Sequence, residues 1–354
     1  MHEKLRIKSL IISTMFFLIS MAGMLIFADK KAIVIANVAQ DQVEAEEVSV
    51  KEPEKDKTAK LLRFRQGEEE AKYLCIPLQS GVVAENIAME NHYMDKEMWI
   101  YIANTDASYY DTEAVYGNID KIESGTYEYI NDRVLIRFSL ENVYECNSLL
   151  EEGKLYVEFV HPREVYDKIV VIDACGGGDE TGIQIGNVPE KSISLDIVKQ
   201  LKSLIDGSDI KVYYTRTDDV NIPIESRVEL ANAVEADMLI SIRLNESADA
   251  SVYGTETYYN GNYFIPGFGS VQLADVIERN VVTAISGKGN GLVAASAENV
   301  LLAEAKVPVA EIRVGYATNI EEAALLKKEA YREQIAKGIY QAILGAYENY
   351  LKEE

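Results

Sequence analysis

Histidine is scarce in this chain. His2, His92 and His161 are the three in 354 residues, so the last half has no imidazole to hold a metal or to activate a nucleophile. Cysteine is equally rare: Cys75, Cys146 and Cys175 show no C-x-x-C spacing, which excludes a thiolate zinc cluster and a dithiol redox motif. Cys75 and Cys146 could pair in an oxidising compartment with Cys175 left over; three unpaired thiols is the simpler expectation. Positive charge is also in short supply, 35 Lys and Arg against 58 Asp and Glu, for a formal charge of −23. Such a surface repels phosphate backbones and excludes nucleic acid as a partner. No internal repeat is present. The glycine run at residues 175–182 lacks the frame and the Lys-Ser/Thr ending of a phosphate loop, and its acids Asp179 and Glu180 would oppose a phosphate.

What is present divides into four stretches. Lys4, Arg6 and Lys8 precede an uncharged, mostly apolar run over residues 9–28, which ends at Asp29-Lys30-Lys31. The run is long enough to span a bilayer, and the basic residues ahead of it put the start in the cytoplasm and the remainder outside. Residues 1–28 are therefore expected as an uncleaved anchor. The rival is a cleaved signal peptide, for which the run is long and Ile26-Phe27-Ala28 a poor cleavage site. The expected location is the cell membrane, single-pass, with the main domains extracytoplasmic. Residues 29–60 are expected as an acidic, charged linker: from Val43 on they are rich in Glu and Lys, poor in aromatics and without period. Residues 61–165 contain short runs of β-formers at 98–102, 126–130, 133–138 and 154–160, with Asn131-Asp132 and Glu152-Gly153 as turns, and predict a small β-sandwich. Its many tyrosines read as ordinary strand residues.

Residues 168–354 alternate between strand and helix patterns. Strands are expected at 168–173, 210–215, 237–243, 256–259, 300–303 and 309–314. Helices are expected at 190–206, 223–235 and 272–285 and from 321 to 351. This predicts an α/β domain with a mostly parallel sheet and helices on both faces. Ordered segments in this stretch carry a resemblance. They are Val170-Val171-Ile172-Asp173 with Gly177-Gly178 and Gly182, then Glu190-Lys191. Thr215-Arg216-Thr217-Asp218-Asp219 with Ser226-Arg227-Val228-Glu229-Leu230-Ala231-Asn232 follow, then residues 236–242, Gly254-Thr255-Glu256-Thr257-Tyr258-Tyr259 and residues 307–319. In order and spacing they resemble the zinc-dependent N-acetylmuramoyl-L-alanine amidases of the cell wall. The β-rich stretch resembles the AMIN-type domains that precede many such enzymes.

The resemblance implies zinc held by two histidines and a glutamate, with a second glutamate activating the bound water. The chain departs from that set. The first histidine position is Gly176, the second is Arg243, and the catalytic-base position is Arg313; only the glutamate ligand, Glu190, is kept. Glycine offers no ligand, and arginine stays protonated and has no lone pair to give. Arg313 cannot accept a proton as a general base. The expectation is a degenerate member without zinc, other cofactor or intact catalytic residue. Glu190, Arg243, Asn245 and Arg313 are its candidate ligand-binding residues, and peptidoglycan, a stem peptide or another cell-wall protein its candidate partner. Arg243 is expected to neutralise Glu190, which leaves Arg313 to meet an anion. Two alternatives stand beside this. One is an active, divergent amidase with a site rebuilt from Cys175, Asp179, Glu180, Glu246 or Glu311; the other is a protein-docking scaffold. Asp218-Asp219 reads as a solvated turn.

Overall fold

The computed structural model describes residues 37–39, 59–66, 71–262 and 264–351. The expected anchor at 1–28 and most of the expected linker lie outside these residues. Among the described residues no helix is long and apolar enough to cross a membrane. The chain divides into two compact units: the first runs to residue 160 apart from 142–144, and the second comprises 142–144 and everything from 161 on.

The first unit is built from strands β1 (Asn37–Ala39), β2 (Lys60–Leu61), β3 (Phe64–Gln66), β4 (Leu74–Pro77), β5 (Ile87–His92), β6 (Glu97–Ala103), β7 (Val115–Gly117), β8 (Ile122–Ile130), β9 (Arg133–Leu140), β10 (Glu145–Glu151) and β11 (Lys154–Val160). They form a six-stranded sheet, β1-β5-β6-β9-β8-β2, and a five-stranded sheet, β10-β11-β4-β7-β3. Alternation decides which faces meet. Met98, Ile100 and Ile102 of β6 are buried while Trp99 and Tyr101 between them are half-exposed, and Phe64 of one sheet reaches Phe138 of the other at a ring-centroid distance of 6.3 Å. The result is the expected sandwich. Asn131 and Asp132, with φ of 49° and 60°, and Glu152 and Gly153, with 49° and 71°, make the two-residue turns β8–β9 and β10–β11. Positive φ at both positions gives the twist that tight hairpins need.

One expectation is corrected here, and for the cysteines the simpler one, three unpaired thiols, holds. Asn37–Ala39, inside the stretch expected as linker, pairs in parallel with β5. Edge pairing asks only for backbone donors and acceptors, which a three-residue segment supplies whatever the composition around it. Cys75 and Cys146 cannot bond. Cys75 opposes Tyr156 on β11 and Cys146 opposes Phe159 of the same strand, three residues apart and so on opposite faces of the sheet, with β11 between them. Two strand spacings put their backbones about 10 Å apart, beyond disulfide reach; all three cysteines are free and buried.

The second unit contains β12 (Ile169–Ala174), β13 (Gln184–Ile185), β14 (Val188–Pro189), β15 (Lys211–Tyr214), β16 (Met238–Asn245), β17 (Thr255–Tyr259), β18 (Gly289–Ala294) and β19 (Val309–Tyr316). Its six-stranded sheet runs β15-β12-β16-β19-β17-β18. The first four strands are parallel, β17 is antiparallel to β19, and β18 follows β17 in parallel. Helices Glu190–Ile205, Ser270–Ile285 and Glu329–Asn349 pack over one face, on a core that takes Val170, Ile172, Ile240, Ile242, Ala310 and Ile312 from the sheet. Helix Ile224–Ala233 and the short helix Val300–Ala303 cover the other. Residues 300–303 were expected as a strand. They turn as a helix because Asn299 caps them, its side chain accepting from the Leu302 N–H, while Leu301, Leu302 and Ala303 are good helix formers. Strand β18 was not foreseen, since Gly289-Asn290-Gly291 lacks β-forming side chains.

The end of β12 is anchored by a buried ion pair. Asp173 Oδ1 accepts from Arg227 and from the Thr215 hydroxyl, both at 2.7 Å, and Oδ2 accepts from the Ser241 hydroxyl at 2.6 Å. Asp173 and Arg227 are each 2% exposed. Arg227 also donates to the carbonyls of Ile222, Ala174 and Gly176, and Arg216 to those of Ala174, Cys175, Lys191 and Asp218. The matched Thr-Arg and Ser-Arg motifs thus hold the glycine-rich loop by its backbone. Arg227→Met is expected to strand the Asp173 carboxylate and cost about 3–5 kcal/mol in urea unfolding. Lys337→Met, at an exposed i,i+4 pair with Glu333, should cost less than about 0.5 kcal/mol.

Candidate functional site

A cleft of about 440 Å³ opens at the carboxyl ends of β16 and β19, lined by Gly182, Ile183, Glu190, Arg243, Leu244, Asn245, Glu246 and Arg313. Crevices at the carboxyl ends of parallel strands are where α/β domains place ligands. Glu190 begins its helix and is 1% exposed. Its Oε1 accepts from the Leu244 N–H at 2.7 Å and its Oε2 from the Ile183 N–H at 2.9 Å. The carboxylate therefore ties the loop, the helix start and the end of β16 together. Gly182, at φ 65°, has no side chain where Glu190 lies, and a Cβ there would collide with that carboxylate.

Arg243 and Arg313 are register partners on adjacent strands. Like charges directly opposite repel, and Glu311 resolves the conflict. It lies two residues before Arg313, on the same face of β19, and is 1% exposed. Glu311 Oε1 accepts from Arg313 Nε at 3.0 Å; Oε2 accepts from Asn299 at 3.1 Å and, more distantly, from Arg243 at 3.4 Å. Arg313 also donates to Asn245 Oδ1 at 3.3 Å and lies over the Tyr258 ring, 3.8 Å from its centroid. Asn245 and the Tyr258 hydroxyl both donate to Glu256.

The expected meeting of Arg243 with Glu190 is present as a charge contact, 3.9 Å from Nε to Oε1. The expectation for Arg313 is corrected: it is held by Glu311, Asn245 and Tyr258. Gly176 lies apart from the cleft lining. At φ 69° it accepts from Arg227, and a Cβ on it would come within 2.6 Å of the Glu180 carbonyl oxygen. Of the residues considered for a rebuilt site, Asp179 and Glu180 are exposed in the turn, Glu246 is exposed on the cleft, and Cys175 is buried. Burial pushes the Cys175 thiol up to about 12, with Arg243 beside it working in the opposite direction. Among the described residues no three His, Cys, Asp or Glu side chains converge as a metal-binding group. Asp218 and Asp219 are exposed, as expected of a solvated turn, and Asp219 also latches the loop: it accepts from the Gly178 N–H at 2.9 Å and from Lys191 at 2.6 Å.

Comparison with known proteins decides the family. Residues 170–345 match the family model described as N-acetylmuramoyl-L-alanine amidase. The second unit belongs to that family. The amidase LytC of Bacillus subtilis is 27% identical over 184 residues, 52% of this chain and 36% of LytC, so the match spans about a third of that relative's length. The germination-specific N-acetylmuramoyl-L-alanine amidase of the same organism is 28% identical over 193 residues, 50% of this chain and 78% of its own. Among solved structures, the N-acetylmuramoyl-L-alanine amidase of Clostridium difficile 630 aligns at 32% identity and a TM-score of 0.48, covering 51% of this chain and 97% of that one.

Two predictions follow from this amidase-like site. Gly176→Ala is expected to lower stability by about 1–2 kcal/mol, the cost of forcing an L side chain into the left-handed region, and Gly176→His by more, read by urea unfolding. The Cys175 thiol, neutral when folded, favours the native state while the unfolded thiol also stays protonated. That contribution is complete below pH 9 and is lost as pH rises toward about 12. Stability measured from pH 8 to 11 should fall less steeply in Cys175→Ala than in the parent.

Proposed function

We propose that this amidase-like domain has lost zinc and hydrolysis and serves as a noncatalytic cell-wall module, binding peptidoglycan or its stem peptide or regulating wall remodelling. We propose also that residues 9–28 anchor it in the cell membrane with both units outside. The observation that carries the reading is Arg243, a fixed cation between Glu190 and Glu311 where the family implies a metal ligand. The residues present do not fit zinc. Gly176 has no donor, and both Glu190 oxygens accept backbone N–H groups. Arg243 and Arg313 are cations without lone pairs. At 4 Å and an effective dielectric of about 20, each would repel a dication by about 8 kcal/mol, against which Glu190 and Glu311 restore only neutrality. Arg313, at the base position, has no basicity to take a proton from water.

An active divergent amidase is the second reading. It is favoured by the relatives named as amidases and by Cys175, Glu190 and Glu311, which all lie beside Arg243. Elemental analysis and muropeptide release separate the two. The expected result is less than stoichiometric zinc and no stem-peptide release above a Glu190→Ala control; zinc at one per chain with release above that control supports the enzyme. Retention on purified cell wall is expected as well, and its absence would favour a protein-docking role.

A further inference from the structure

We infer that the cleft is a receptor for a zwitterion: an amino acid or short peptide that carries a free carboxylate and a free ammonium. This rests on the reading that the cleft binds a ligand in place of a metal. Arg243 has five N–H donors and makes one side-chain hydrogen bond among the described residues, the 3.4 Å contact with Glu311. Its 3.9 Å approach to Glu190 is outside hydrogen-bond range, because backbone amides occupy both Glu190 oxygens. The side chain is 34% exposed and borders the cleft. A guanidinium edge left open in this way matches a carboxylate in bidentate geometry.

Glu246 supplies the opposite pole. It lines the same cleft and is exposed. Its N–H is taken by Asn245 Oδ1 at 3.0 Å, while its carboxylate has no hydrogen-bond or ion-pair partner among the described residues. The other groups have their hydrogen-bond partners: Arg313 holds Glu311, and both Glu190 oxygens accept amide N–H groups. The two open groups, a guanidinium edge and a carboxylate, then select the ligand. A lone anion on Arg243 would face the carboxylates of Glu190, Glu311 and Glu246, and a lone cation on Glu246 would face Arg243 and Arg313. A ligand with both charges meets each pole with its complement and leaves the cleft's net charge unchanged. The volume of about 440 Å³ is within the range of small-ligand sites.

Isothermal titration calorimetry of the full-length protein tests this, with alanine, dialanine and trialanine as probes, each also N-acetylated and C-amidated. At least one unblocked probe is expected to bind, and blocking either end should weaken it by about tenfold or more. Glu246→Gln, a change at an exposed side chain, should abolish the penalty for N-acetylation and keep the penalty for amidation; Arg243→Gln should do the reverse. Failure of every probe at millimolar concentration overturns the inference, as does equal binding of blocked and unblocked forms. Zinc content of the same sample tells the two levels apart. Stoichiometric zinc defeats the parent reading, whereas metal-free protein that ignores the probes defeats this inference alone.

Discussion

The carboxylate of Glu190 is the fixed point around which the cleft is arranged. It is withdrawn from solvent, and such a charge persists only with strong donors on its oxygens. Two backbone N–H groups supply them, and the start of its own helix adds the favourable end of the helix dipole. Because those amides belong to the loop after β12 and to the end of β16, one side chain sets the positions of three segments. This glutamate therefore has a structural role that is independent of any metal. Gly182 is glycine for the same reason, since the volume beside it is filled by that carboxylate.

Across the cleft the organising device is charge alternation between strands. Arg243 and Arg313 sit side by side, an arrangement that would be repulsive alone. Glu311 lies close to both and is steadied by Asn299. Arg313 is further immobilised by the Tyr258 ring and by Asn245. The two arginines consequently differ: one is bound on several sides, and the other keeps most of its donors toward the opening.

Much of this was legible in the residues. The alternation of apolar strands with amphipathic helices specified the α/β layering, and the turn pairs Asn131-Asp132 and Glu152-Gly153 marked two hairpins of the sandwich. Glu190, Arg243, Asn245 and Arg313, named as candidate ligand-binding residues, line one cleft, whereas Gly176, named with Glu190 and Arg243 for the metal site, does not. The place of Glu311 was legible too, because a residue two before Arg313 on a strand shares its face. Asn299, Glu256 and Tyr258 were not legible. Their approach depends on β17 inserting antiparallel beside β19 and on a helix at 300–303, and both are tertiary outcomes. The exposed pocket edge at Glu246 could be named but not assigned a face, since the register shifts between Arg243 and Asn245.

The pairing of Asn37–Ala39 with β5 sets the length of the leash. Between an apolar run that ends at residue 28 and this strand lie eight residues, whose fully extended reach is at most about 28 Å. If that run resides in a bilayer, the sandwich rides within that distance of the lipid surface, and lengthening the eight-residue segment would raise it.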